Sequence, residues 1–201
     1  MFRFSSDRSL LDIYPYEFEI MIDYRLKQNE LTVGWQVHNR NKGDMYFSIG
    51  AHPAFQIPLI EGESLSDYYI MLQPRESEIM EYGVEQGLIY EKGQANDIKM
   101  IELTDRLFAN DALIYRAINE VTIASKKHSH QIKVMHPGFP FVGIWSKFDA
   151  VNQKAAPFIC IEPWYGIADR VDANGDYKKK FGINHLPEHG IFETGYSIEF
   201  T

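Results

Sequence analysis

The strongest constraint on how this chain folds is a two-residue alternation of apolar and polar side chains near its start. Along Glu17–Leu26, the residues Phe18, Ile20, Ile22, Tyr24 and Leu26 alternate with mostly polar neighbours. That period puts one row on each face of an extended strand, the pattern of a strand half-buried in a sheet. Lys27-Gln28-Asn29-Glu30 reads as a turn, after which Leu31, Val33, Trp35 and Val37 alternate against Thr32, Gln36 and His38. The two runs predict an antiparallel hairpin with a four-residue connection.

More strand-like runs follow at Met45–Ile49, Tyr68–Leu72, Ile98–Leu103, Val121–Ala124, Gln131–Met135, Phe141–Trp145, Phe158–Ile161 and Tyr196–Phe200. Turn formers separate them, among them Asn41-Lys-Gly-Asp44, Glu61-Gly-Glu63 and Asn174-Gly175. One helical piece is expected, over Thr104–Ala112. Many short strands with little helix predict an all-β fold, a large antiparallel β-sandwich. No linker, repeat or low-complexity stretch divides the chain, so residues 1–201 read as a single domain.

Composition narrows the partners. The 201 residues carry 20 basic and 28 acidic side chains, a formal charge of −8. Such a surface repels phosphate backbones, which argues against nucleic acid. Lys178-Lys-Lys180 is short and reads as a solvated turn. No apolar run approaches the roughly 20 residues of a membrane-spanning helix, which argues against a membrane. Met1–Asp7 lacks the apolar stretch of a signal peptide, and the single cysteine, Cys160, has no disulfide partner within the chain. A reducing cytoplasm is the expected compartment.

Two segments carry chemistry: Phe47-Ser-Ile-Gly-Ala-His-Pro-Ala-Phe55 and Phe158-Ile-Cys-Ile-Glu-Pro-Trp-Tyr-Gly166. Each ends a β-like run on one titratable residue, His52 or Glu162, followed at once by proline. Gly50 and Ala51 before His52 are small, and Pro53 biases His52 toward an extended backbone. His52 reads either as a core histidine satisfied by a carbonyl or as a general acid, since imidazole titrates near pH 6.5. Glu162 follows the buried run Ile159-Cys-Ile161. A carboxylate there must be paired, with Arg170 or Lys147 as structural candidates, or have its pKa raised toward that of a neutral-pH base. Cys160 lies inside the apolar run and reads as an inert core thiol.

These segments resemble the aldose 1-epimerase (galactose mutarotase) superfamily, and most its LacX-like bacterial branch. Tyr14-Pro-Tyr-Glu-Phe-Glu-Ile20, Leu107-Phe-Ala-Asn-Asp-Ala-Leu113 and Phe139-Pro-Phe-Val-Gly-Ile-Trp-Ser146 agree with it in family order. The resemblance implies a galactose-mutarotase-like β-supersandwich acting on a monosaccharide without a cofactor. It implies Glu162 as general base and His52 as general acid in interconverting the α and β anomers of a hexose. Trp145, Trp164 or Tyr165 would stack on the sugar, and Asp111 matches a sugar-binding acidic position loosely, its other reading being a turn aspartate. Asp169, just after the second motif, orients a hydroxyl or Arg170, or is a solvated turn residue. The family also carries a leading portion with an arginine and a His-Gly histidine. This sequence starts almost at the hairpin, and its His-Gly pair, His189-Gly190, lies near the other end. A fold incomplete at its N-terminal side is therefore expected, with an exposed sheet edge inviting a homodimer.

Rival readings are a non-catalytic carbohydrate-binding remnant, a hexose-6-phosphate 1-epimerase, and a glycosidase-like hydrolase. The last ranks lowest because glycoside cleavage usually uses two carboxylates. No metal site is expected. His128-Ser-His130 lacks a third ligand nearby and reads as a solvated strand end, and Pro187 interrupts the His185/His189 spacing. His136-Pro137 echoes the other His-Pro pair, but Gly138 marks a turn there.

Overall fold

In a computed structural model describing residues 1–201, the leading alternation becomes a ten-residue antiparallel pair that anchors one of two stacked sheets. The strands run in order as β1 (Phe2–Ser5), β2 (Phe18–Lys27), β3 (Glu30–Asn39), β4 (Met45–Phe47), β5 (Ile49–Gly50) and β6 (Ala54–Gln56). They continue as β7 (Tyr68–Pro74), β8 (Met80–Glu85), β9 (Leu88–Gln94), β10 (Met100–Glu102), β11 (Leu113–Arg116), β12 (Ile118–Ser125) and β13 (Gln131–Met135). The last are β14 (Phe141–Trp145), β15 (Phe148–Asp149), β16 (Lys154–Ala155), β17 (Phe158–Tyr165), β18 (Asn184–Leu186) and β19 (Ile191–Phe200).

The first sheet has eight strands in the order β1-β2-β3-β19-β13-β12-β7-β10. The second has seven, in the order β5-β17-β14-β11-β8-β9, with β6 also on β17. Strand neighbours within both sheets are antiparallel. Between the sheets lies a core of 24 buried residues. Val33, Trp35, Val121 and Ile198 enter it from the first sheet, and Val142, Ile144, Ile159 and Ile161 from the second. Beyond β17 the second sheet ends at the short pieces β5 and β6. There Ile22, Leu31 and Trp35 of the first sheet, with Ile49 and Ala51, line an apolar trough of about 510 Å³ that reaches His52.

The expected helix over Thr104–Ala112 is a string of turns instead. Leu107, Ala109 and Asp111 each donate a backbone hydrogen bond to the residue three before, and Asp111 then takes a left-handed φ of 78°. Phe108, buried in the core, fixes that string in place of a regular helix face. The one α-helical turn is Arg8–Leu11, capped by the Asp7 side chain on the Ser9 N–H. Lys178–Lys180 is only partly the solvated turn expected. Tyr177–Lys179 forms a 3₁₀ turn, but Lys180 folds inward to donate to the Ile167 carbonyl. His128 is not at a solvated strand end. It is largely buried, 3.2 Å from the Glu63 carboxylate that also accepts from Tyr68.

His136 is fully buried against Phe139, in the turn that Gly138 completes with a φ of 86°. Burial, with the charge of Arg75 adding to it, holds its imidazole down at about 4. The folded chain keeps it neutral, whereas the unfolded chain protonates it near 6.5. This stabilising contribution is present above pH 6.5 and declines as pH falls toward 4. The full loss is about 3 kcal/mol. Glu162 has the opposite sign, its raised pKa making the folded state bind more protons between about 4.5 and 7. Subtracting a His136→Leu variant isolates the histidine, because Glu162 is common to both proteins. Urea midpoints measured from pH 7 to pH 4 should fall more steeply in the wild type than in His136→Leu. Parallel curves would refute the assignment.

Candidate active site

The two motif segments pair with each other. β5 and β6 lie antiparallel to β17 in one continuous register, with Gly50 opposite Trp164 and Ala54 opposite Cys160. The same register sets His52 opposite Glu162. Across the gap between β5 and β6, the Ala51 N–H donates to the Pro163 carbonyl at 3.0 Å and the Ile161 N–H to the Pro53 carbonyl at 3.2 Å. Each of these pairs would carry two ladder bonds, but Pro163 and Pro53 have no N–H to give. The prolines after His52 and Glu162 thus remove one bond on either side of the pair. His52 and Glu162 occupy the non-hydrogen-bonded position between, where opposed side chains come closest.

The His52 Nε2 lies 3.2 Å from a Glu162 carboxylate oxygen. The environments differ sharply: the Glu162 side chain is 7% exposed and that of His52 60%. His52 is therefore not the core histidine that its apolar run allowed. Neither Arg170 nor Lys147 pairs with Glu162, since Arg170 engages Glu91 and Asp172. Burial pushes the Glu162 carboxyl up to about 7. The adjacent His52 and the Trp164 side chain pull it down, and the negative charge of Asp111 adds to the rise.

On its other side Glu162 faces Gly143 of β14, with Phe141 opposite Trp164 and Trp145 opposite Cys160. Both glycines are needed here. A Cβ at Gly50 would sit 2.6 Å from Trp164 Cδ1, and one at Gly143 would collide with the far edge of the same ring. The Trp164 indole therefore lies across two bare stretches of backbone, beside the carboxylate. His52, Glu162 and Trp164, with Ser48 and the segment Gly166–Ala168, line an open hollow of about 470 Å³.

The remaining candidates divide. Trp145 meets the His52 ring edge-on, centroids 6.0 Å apart, and lines a second hollow of about 810 Å³ together with Asp111. Asp111 is on an exposed turn and accepts from the Ala112 N–H at 2.8 Å. Tyr165 is not with the others. One residue out of phase with Glu162, it points between the sheets and packs on Phe139 and Phe192, with ring centroids at 4.7 and 4.9 Å. Cys160 is in phase with Glu162, and its sulfur lies within 4.8 Å of the ligating atoms of both His52 and Glu162. Gly143 and the Gly166–Ala168 segment were not anticipated. Gly166, at a φ of 138° with a Cβ position blocked by Ser48, is the signal that the chain turns sharply over the site.

The architecture is that of galactose-mutarotase-like proteins. A galactose mutarotase related enzyme from Lactobacillus acidophilus superposes with a TM-score of 0.91 at 32% identity, over 100% of this chain and 67% of its own. A galactose mutarotase-like protein from Lactobacillus casei ATCC 334 gives 0.85 at 27% identity, over 100% and 69%. The aldose 1-epimerase family model matches residues 1–182, and the chromosomal LacX protein of Lactococcus lactis subsp. lactis is 31% identical over 98% of this chain and 67% of its own length. The chain belongs to the aldose 1-epimerase family. No helix is long and apolar enough to cross a membrane.

Proposed function

We propose that this chain interconverts the α and β anomers of a free hexose by opening and reclosing its ring. One observation carries the reading: a buried carboxylate with its pKa raised to about 7 touches an exposed imidazole at the rim of a sugar-sized hollow. Family membership and the mutarotase-like relatives support it.

Glu162 accepts the proton of the anomeric hydroxyl while His52 donates one to the ring oxygen. The bond from the anomeric carbon to the ring oxygen breaks, leaving a free aldehyde. Rotation about the bond between the first two carbons exposes its other face. The reverse transfers, from Glu162 to the carbonyl oxygen and from the ring hydroxyl to His52, close the ring and restore both side chains. Each such transfer contributes about 10²–10⁴ in rate. Trp164, in the wall of the same hollow, would pack on the apolar face of the sugar.

Polarimetry on freshly dissolved α-glucose and α-galactose tests this. Rotation should relax to equilibrium faster with the protein than in buffer alone. The enzymatic rate on the acid limb should rise to half its maximum at about pH 7, as Glu162 loses its proton. No acceleration with any hexose would overturn the reading and leave a sugar-binding role, read by calorimetry.

A further inference from the structure

The buried thiol beside the proposed acid–base pair is the feature that the epimerase reaction leaves unused. Cys160 and Glu162 stand two residues apart on one face of β17, and His52 is opposite Glu162 and diagonal to Cys160. Sulfur, imidazole nitrogen and carboxylate oxygen lie within 4.8 Å of one another, and the nitrogen–oxygen edge is 3.2 Å. Around tetrahedral zinc, nitrogen and oxygen ligands at about 2.0–2.1 Å and sulfur at about 2.3 Å are separated by about 3.3–3.6 Å. One edge of the triangle already has that length. The others need at most a contraction of about 1.2 Å: the sulfur–nitrogen edge closes by a rotamer change of the mostly exposed histidine, and the sulfur–oxygen edge by small torsional adjustments of Cys160 and Glu162 on their shared strand face.

We propose that His52, Cys160 and Glu162 form a three-ligand site for a thiophilic divalent cation of the zinc class, and that its occupancy shuts off proton transfer at this site. Thiolate, imidazole and carboxylate together select such a metal over calcium or magnesium, which take all-oxygen shells. On binding, the thiol releases its proton to solvent and coordinates as thiolate, the cation supplying the charge that burial alone disfavours. The fourth position faces the hollow and takes water. Trp145, opposite Cys160 in register, walls the site on its far side. A metal here takes the lone pairs that Glu162 and His52 need to move protons. Metal binding stands on the geometry alone; only its inhibitory effect rests on the proposed epimerase reading.

The test uses Co²⁺ as a spectroscopic probe and Zn²⁺ by calorimetry on the purified chain. Co²⁺ should produce a sulfur-to-metal charge-transfer band and tetrahedral visible absorption, and Zn²⁺ should bind one to one. Cys160→Ser should abolish the band and weaken Zn²⁺ at least tenfold, with mutarotation in metal-free buffer unchanged. His128→Ala, which removes a different histidine–carboxylate contact, should change neither. Stoichiometric Zn²⁺ should suppress mutarotation in the wild type and spare it in Cys160→Ser. If Cys160→Ser fails to fold, the Co²⁺ spectrum of the wild type decides alone. A spectrum without the thiolate band, or equal Zn²⁺ affinity in wild type and Cys160→Ser, overturns the site. A thiolate band in a protein that never mutarotates upholds the site and removes only the inhibition.

Discussion

Glu162→Gln is expected to lower the rate of anomer interconversion by about 10²–10⁴-fold, the usual contribution of one positioned proton-transfer group. The substitution keeps the shape of the side chain and its fit between His52 and Gly143, but the amide cannot accept the hydroxyl proton. Substrate contacts from Trp164 persist, so the loss should fall on kcat more than on KM. Stability should move the other way above pH 7. There the wild type holds a buried, ionised carboxylate whose charge burial disfavours, and glutamine removes that cost. A slower and equally or more stable protein is the signature of a catalytic group, whereas a purely structural ion pair would lose stability and leave the rate alone. Polarimetry at pH 8 and thermal melts at pH 6 and 8 separate the two. A variant as fast as the wild type would sink the assignment of Glu162 as base.

Much of this site was legible because β-strand chemistry is periodic. The alternation in Phe18–Leu26 lies on strand β2, but its apolar row is covered only as far as Ile22. Tyr24 and Leu26 are exposed, and the buried residue of the strand is Glu19, paired with Arg3 and Arg40. Phe141–Trp145 coincides with β14 end to end. The His-Pro and Glu-Pro segments stood out as each ending a strand-like run on one titratable residue, and the fold brings those two residues together. The same parity rule separates Trp164 from Tyr165, which side-by-side aromatics conceal when read as a cluster. In phase with Glu162 are Cys160 and Trp164; out of phase are Ile161 and Tyr165, which face the inter-sheet core. What stayed hidden depends on tertiary contacts. The hairpin β8–β9 carries Gly83 and Gly93 within its strands and Gly87 in its turn, which thins its apolar alternation, and its pattern makes sense only with the Tyr90 ring lying over Gly83. The turns at Thr104–Ala112 have helix-like composition, but the core claims Phe108 and the chain leaves at Asp111 in a left-handed conformation. The apolar run around His52 suggested burial, yet His52 stands at the margin of a sheet whose last strand is in two short pieces.

Phe139→Ala should destabilise the fold by about 3–5 kcal/mol, the usual cost of emptying a large aromatic site in a packed core. Phe139 is fully buried where the two sheets meet, and four rings surround it. Tyr165 of β17 lies 4.7 Å away between centroids, Trp35 of β3 at 5.7 Å, His136 at 6.1 Å and Tyr196 of β19 at 6.4 Å. Rings contributed by both sheets cannot collapse together into the void without sliding the sheets, so most of the cavity should persist. Phe139→Leu fills much of the same space and should cost markedly less, which separates lost volume from lost aromatic contact. The effect should reach the site as well. Tyr165 is three residues beyond Glu162 on the same strand, and its seat against Phe139 helps hold the end of β17 where Trp164 spans Gly143 and Gly50. Urea denaturation of both variants measures the stability step. Mutarotation assayed in the absence of denaturant then shows whether Phe139→Ala also raises KM through a displaced Trp164. A cost below about 1 kcal/mol in Phe139→Ala would mean that the cluster repacks freely and does not brace the strand carrying Glu162.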